Sequence, residues 1–165
     1  MLNDNLEDVV VTQPGCYKFA HPRRGRPCET CPRILESQTF ISSYTKQKYK
    51  MRHTLTCKST FVIYLITCKV KSQDHLRVCG AQYVGCTIEA MHERHSGHRS
   101  EIRMKSTPLG RHFDQCGIEN LQLQIIDCVK PGEKEALLII EGIWMHKLAV
   151  FQIHGSINKK DEMKK

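Results

Sequence analysis

The stretch that most constrains this chain is Thr60-Phe-Val-Ile-Tyr-Leu-Ile-Thr67, eight β-branched, aromatic and aliphatic residues without a charge or a turn former. A strand with one wet face alternates polar and apolar residues. This run is apolar on both faces, so it reads as a buried central strand that other elements must cover. Gln82-Tyr83-Val84-Gly85-Cys86 is a second, shorter strand, close enough to pair with the first as a hairpin across the polar loop 69–79. Leu121 to Val129 alternates at its start and reads as a third. Thr87 stands at an N-cap position before a charged helix over 88–104 that contains Gly97. Thr107-Pro108 opens a short helix, since Pro is favoured at the first helical position. After Pro131-Gly132 comes the most apolar helix, 133–150. The order β-β-α-α-β-α implies an α+β domain over residues 58–158, a small antiparallel sheet covered by helices.

Around that domain the chain is different in kind. Residues 1–27 read as an irregular leader, 28–57 as a polar, basic, cysteine-bounded segment with little to build a core, and 159–165 as a charged tail. The whole length, 165 residues, suits one sizeable core with a small appendage. No apolar run approaches the ~20 residues of a membrane helix. The acidic start lacks the basic-then-apolar pattern of a secretory signal. With an odd count of nine cysteines, a reducing, intracellular compartment follows, where metal binding or buried thiols are the better default than disulfides.

The formal net charge of +8 is not spread evenly. Residues 17–58 carry ten basic side chains against Glu29 and Glu36, and so hold all of it. Arg23, Arg24, Arg26, Lys46, Lys48, Lys50 and Arg52, interleaved with Tyr17, Phe19, Tyr44 and Tyr49, make a footprint for a polyanion, DNA first and RNA second. A solvated basic arm is the alternative reading.

Several polar residues fall where a pure core would want apolar ones. Tyr64 shares a strand face with Val62 and Ile66, and Tyr83 shares one with Gly85. Met91, Arg94 and His98 lie on one helix stripe. Glu141 stands out most, with Leu137, Trp144 and Leu148 at i−4, i+3 and i+7. An unpaired carboxylate in an apolar stripe costs several kcal/mol in practice, and a cation or an Arg is the usual remedy. Such a set suits phosphodiester hydrolysis: a carboxylate for a divalent metal, an Arg for phosphate charge, a Tyr or His for the proton of water. Core tyrosines and an Arg94 paired with Glu101 or Glu141 are the blander readings.

Val62-Ile63-Tyr64 and Tyr83-Val84-Gly85, followed by Thr87, Met91, Arg94 and His98, then by Glu141 in Glu-Gly-Ile-Trp and Asn158 in Gly-Ser-Ile-Asn, resemble the GIY-YIG nuclease superfamily. The flanks, with Cys-x-x-Cys-Pro upstream, Cys57 before Val-Ile-Tyr-Leu-Ile-Thr-Cys, and Pro-Leu-Gly-Arg-His-Phe, resemble most the endonuclease domain of Penelope-like retroelements. The likeness implies a three-stranded antiparallel sheet flanked by helices and a DNA endonuclease using one Mg²⁺ or Mn²⁺. It implies Tyr64 as general base, Tyr83 in the nucleophile or phosphate network, Arg94 as phosphate clamp, His98 assisting, Glu141 as metal ligand and Asn158 holding the site together. A DNA substrate implies a nuclear location. Val62 replaces the family's first Gly, and residues 65–82 make a longer spacer than usual, its surplus in the polar loop. The chain carries no reverse transcriptase, so it reads as a fragment, a degenerate copy that binds nucleic acid without cutting it, or a stand-alone nuclease.

A zinc site is the second expectation. Cys28-x-x-Cys31 followed by His53-x-x-x-Cys57 offers two ligand pairs, and Zn²⁺ takes four N/S ligands. Cys68 or Cys79 could displace His53. Cys16, Cys86, Cys116 and Cys128 read as ordinary thiols.

Overall fold

The computed structural model describes residues 13–19, 28–76, 78–152 and 157–158. Its centre is the expected strand, Val62–Cys68 (β5), in which all seven residues are buried. It pairs antiparallel on one edge with Gln82–Thr87 (β6) and on the other with Leu121–Cys128 (β7). Three helices, Met91–Met104 (α1), Pro108–Cys116 (α2) and Lys134–Lys147 (α3), complete this part. The protein is thus α+β with a three-stranded antiparallel sheet. The β5–β7 register slips between Ile63 and Tyr64, a bulge beside the residue of most interest. Among the described residues no helix is long and apolar enough to cross a membrane.

The helix starts follow from who satisfies their free N–H groups. α2 begins as expected, with Thr107 accepting from the Gly110 N–H and Pro108 first in the helix. α1 does not begin at Thr87. That residue ends β6, and its hydroxyl accepts from the Glu89 N–H at 3.0 Å. The first N–H groups of α1 instead find main-chain carbonyls of a neighbouring loop. Met91 donates to Ser59 at 3.1 Å and His92 to Cys57 at 2.8 Å.

The segment 28–57 differs most from its sequence reading. Ile34, Phe40, Met51, Leu55 and Cys57 are buried in the same apolar cluster as Val62, Leu65, Ile125 and Leu148. Four short strands build this region: Gly15–Tyr17 (β1), Thr39–Ile41 (β2), Lys48–Lys50 (β3) and Thr54–Thr56 (β4). β1 runs parallel to β4, and β2 and β3 form an antiparallel hairpin. Their residues lean on the outer edge of β7, where Leu35 donates to Leu123 at 3.0 Å and the Ile125 N–H meets the Cys16 thiol at 3.3 Å. Burial pushes that thiol up to about 11, so it stays protonated. Gln82 and Gln124 tie the hairpin to the sheet by accepting from Ser43 and donating to Ile41, Ser37 and Thr39. Tyr49 turns inward, stacked on Phe40 and edge-on to Trp144 of α3 at 5.2 Å. Strands too short to show a periodicity still supply core, each burying at most two residues and β3 none.

Candidate active site and metal-binding groups

Tyr64 is fully buried in β5, and its hydroxyl lies 2.6 Å from His98 Nε2. The other ring nitrogen of His98, Nδ1, is 3.0 Å from Glu101 Oε2. An ionised carboxylate only accepts, so Nδ1 carries the proton, and Nε2 is left to accept from the tyrosine. Arg94 closes the group: its Nε donates to the Tyr64 oxygen at 3.3 Å and an Nη to Glu101 at 3.2 Å. Arg94, His98 and Glu101 at i, i+4 and i+7 share one face of α1, from which Arg94 and His98 reach Tyr64 of β5. Gly97 leaves the room this needs, since a Cβ there would stand 3.2 Å from the Arg94 guanidinium. Tyr83 packs against both partners, its ring centroid 6.1 Å from Tyr64 and 5.8 Å from His98.

Register explains the pairing of the tyrosines. Gly85 lies directly across from Tyr64. A Cβ at residue 85 would come 2.6 Å from the Tyr64 oxygen and 2.7 Å from the Tyr83 ring, so only glycine admits both side chains.

The charges of this group are set by burial and by each other. Burial, with Tyr83 adding to it, holds the Tyr64 hydroxyl well above its ordinary value, while Arg94 pulls it down. Burial also lowers His98, against the opposing pull of Glu101, so the imidazole is neutral near pH 7. The His98 N–H, then Arg94, bring Glu101 down to about 2. Burial works against the charge of Arg94, but Tyr64 and Glu101 outweigh it and the guanidinium stays charged. The result is a neutral imidazole able to accept a proton, an anion that orients it, and a fixed cation beside the phenol.

Asn158 clamps β6 rather than the tyrosines. Its side chain accepts from the Val84 N–H at 2.9 Å and donates to the Val84 carbonyl at 3.0 Å. One amide thus satisfies the main-chain pair between Tyr83 and Gly85. Glu141, half-buried on α3, accepts from the Cys86 thiol of β6, which burial and that carboxylate push up to about 12. The Arg94 charge pulls the same thiol down, so Glu141 and the Tyr64 group both act on Cys86. A single carboxylate with partial solvent access fits Mg²⁺ or Mn²⁺, which binds through one or two carboxylates and keeps several waters. Glu101 is a site residue that the sequence reading weighed only as an ion-pair partner; its i+3 spacing from His98 was the available signal.

The expected nucleic-acid residues divide in two. Arg23, Arg24 and Arg26 lie outside the described residues. Lys46, Lys48, Lys50 and Arg52 are all exposed on the β2–β3 hairpin and its continuation. Lys48 and Lys50 point away from the core because Tyr49 between them points in.

Among the described residues, two groups of side chains could hold a metal ion. Cys28, Cys31 and Cys57 bring their sulfurs within 4.8 Å of one another, with Cys57 3.8 Å from Cys28 and 3.7 Å from Cys31. His53 is not among them. Residues 54–56 are extended, so His53 and Cys57 stand roughly 13 Å apart along the strand at about 3.3 Å per residue. The His53 ring instead faces Asp127 at 3.5 Å. Cys68 does not replace it either, because Cys68 belongs to the second group with His112 and Cys116. Cys79 joins that group, its sulfur 3.7 Å from His112 Nε2 and hydrogen-bonded to both Cys68 and Cys116. Cys116 is therefore no ordinary thiol. His112 and Cys116 at i, i+4 on α2 carried a legible ligand spacing, whereas the partner thiols are brought up by the two ends of the loop after β5.

Comparison of the chain with family models, with curated proteins and with solved structures finds no match.

Proposed function

We propose that this chain is a GIY-YIG-type endonuclease that hydrolyses phosphodiester bonds in DNA. The observation that carries the reading is the hydrogen-bonded series Glu101–His98–Tyr64 with Arg94 on the tyrosine oxygen. In this reading the Tyr64 proton passes to His98 Nε2, which Glu101 keeps in the accepting tautomer. The Tyr64 oxygen, stabilised as a phenolate by Arg94, takes a proton from the attacking water. Arg94 also neutralises charge on the phosphoryl oxygens. A divalent ion held by Glu141 would polarise the phosphate and steady the departing oxygen. Tyr83 borders the space where the water and phosphate meet, and Asn158 holds β6 in place beneath it.

Both thiol-rich groups suit Zn²⁺, which prefers sulfur and imidazole in a tetrahedron and would serve structure here rather than chemistry. The exposed Lys46, Lys48, Lys50 and Arg52 would meet the DNA backbone, and a DNA substrate makes the nucleus the expected compartment.

The test is cutting of supercoiled plasmid DNA with Mg²⁺ or Mn²⁺. The reading expects nicking that stops when the hard divalent ion is withdrawn and zinc is left in place. Glu141→Ala should abolish it with an unchanged melting temperature. Cutting by Glu141→Ala at the parent rate would overturn the site assignment. Salt-sensitive binding without cutting under either ion would make the chain an inactive nucleic-acid-binding module.

A further inference from the structure

Zn²⁺ in a structural site takes four ligands, and the first thiol group supplies three. The expected fourth, His53, points elsewhere. The first two turns of α1 are the element that faces the Cys28–Cys31 turn, and three contacts fix how they lie. Arg99 pairs with Glu29. His95 Nδ1 meets the hydroxyl of Thr30, the residue just before Cys31, at 3.0 Å. The His92 N–H donates to the carbonyl of Cys57, itself one of the three thiol residues, at 2.8 Å. Residues 92, 95 and 99 are spaced i, i+3, i+7, so they form one stripe along the helix. Two of its members touch the turn that holds two of the cysteines. The third is anchored to the third cysteine.

We propose that His92 is the fourth ligand, making a Cys28–Cys31–Cys57–His92 zinc site that pins the N-terminal segment to the helix carrying Arg94 and His98. This rests on the reading that the three thiols hold zinc. Only the sulfurs meet within 4.8 Å, so the imidazole closes the tetrahedron by rotating about its side-chain bonds. His92 is half-exposed at the helix end, whereas His95 is 1 % exposed with its Nδ1 against Thr30. The His95 Nδ1 contact with Thr30 serves as the strut that sets the distance between turn and helix. The site is a physical link between the two halves of the molecule: the metal's ligands come from both sides of residue 58.

Zinc and ¹¹³Cd binding to the full chain test this. Two ions per chain and two cadmium resonances are expected, one for each thiol group. His92→Ala should weaken one of the two ions by at least the ~10–100-fold that loss of an outer partner costs. His92→Cys should keep both ions but move a single cadmium resonance, as a fourth sulfur replaces nitrogen, and that same resonance should vanish in Cys28→Ser. His53→Ala should change nothing. Unchanged affinity and unmoved resonances in both His92 variants would overturn the assignment of His92. If Cys28→Ser also leaves two ions and two resonances, the three-thiol site itself is refuted.

Discussion

The two halves of this molecule hold themselves together by different means. From Val62 onward, long elements bury continuous faces: β5 is wholly enclosed, and Leu137 and Met145 of α3, with Leu148 just after it, are buried. Before Cys57 each strand is three residues long and buries at most two residues, β3 none, so no local pattern is self-sufficient. There, order comes from single tertiary attachments: the Cys16 thiol on β7, the Gln82 and Gln124 amides, the Phe40–Tyr49–Trp144 cluster and the three grouped cysteines. The comparison teaches that a segment can be integral to a core without carrying a hydrophobic period of its own.

The strongest way to break that comparison is to remove the first half. Deleting residues 1–56 takes Ile34, Phe40, Met51 and Leu55 out of the shared core. Truncating each buried aliphatic alone costs about 2–5 kcal/mol, so the sum exceeds the margin of a domain this size. No cooperative thermal transition should remain by circular dichroism. A cooperatively melting remainder would show that residues from 57 onward fold by themselves.

Acid should strain the joint between the halves next. His95, buried against Thr30, is brought down to about 3 by burial, with Arg99 and His98 adding. Its folded value is below its unfolded value of 6.5, so the unfolded chain takes the proton first. Stability is therefore full above pH 6.5 and falls as pH drops from there toward 3. The linkage relation gives a loss of about 3 kcal/mol by pH 4. Urea midpoints between pH 7 and 4 read it, and His95→Phe should flatten the slope. An equal slope in that variant would remove the joint as its cause.

Within the sheet half, Gly85→Ala should cost about 1–3 kcal/mol, because Tyr64 is fully buried and cannot yield to a Cβ. A melting temperature within error of the parent would show that the tyrosine rings are not fixed as described.

What could be read in advance follows the same division. The β5 run, the Tyr83–Gly85 strand, the Thr107-Pro108 start and α3 each show a period or a cap, and all are present, α3 ending three residues before its expected end. The stripe on α1 was visible as spacing, so Arg94 and His98 could be named, yet Glu101 on the same face looked like a routine ion pair. The start of α1 was not visible, since its caps are carbonyls of Cys57 and Ser59, far away in sequence. Metal-group membership failed for a related reason. Spacing in sequence suggested His53 with Cys57, but extended backbone separates them, while Cys68, Cys79, His112 and Cys116 meet through a loop and a helix.

The smallest structural change sharpens the division of labour. Lys48→Ala with Lys50→Ala touches only exposed side chains and should leave stability within about 0.5 kcal/mol. It should reduce the slope of log K against log salt by about 0.9 per lost phosphate contact on duplex.

Single-turnover cutting at saturating DNA, run in parallel on Tyr64→Phe and on the double lysine variant, tests the central claim most directly. The account predicts that Tyr64→Phe loses about 10²–10⁴-fold in rate with unchanged DNA affinity. The lysine variant should bind more weakly and, once saturated, cut at the parent rate. A Tyr64→Phe protein that cuts as fast as the parent would contradict the account.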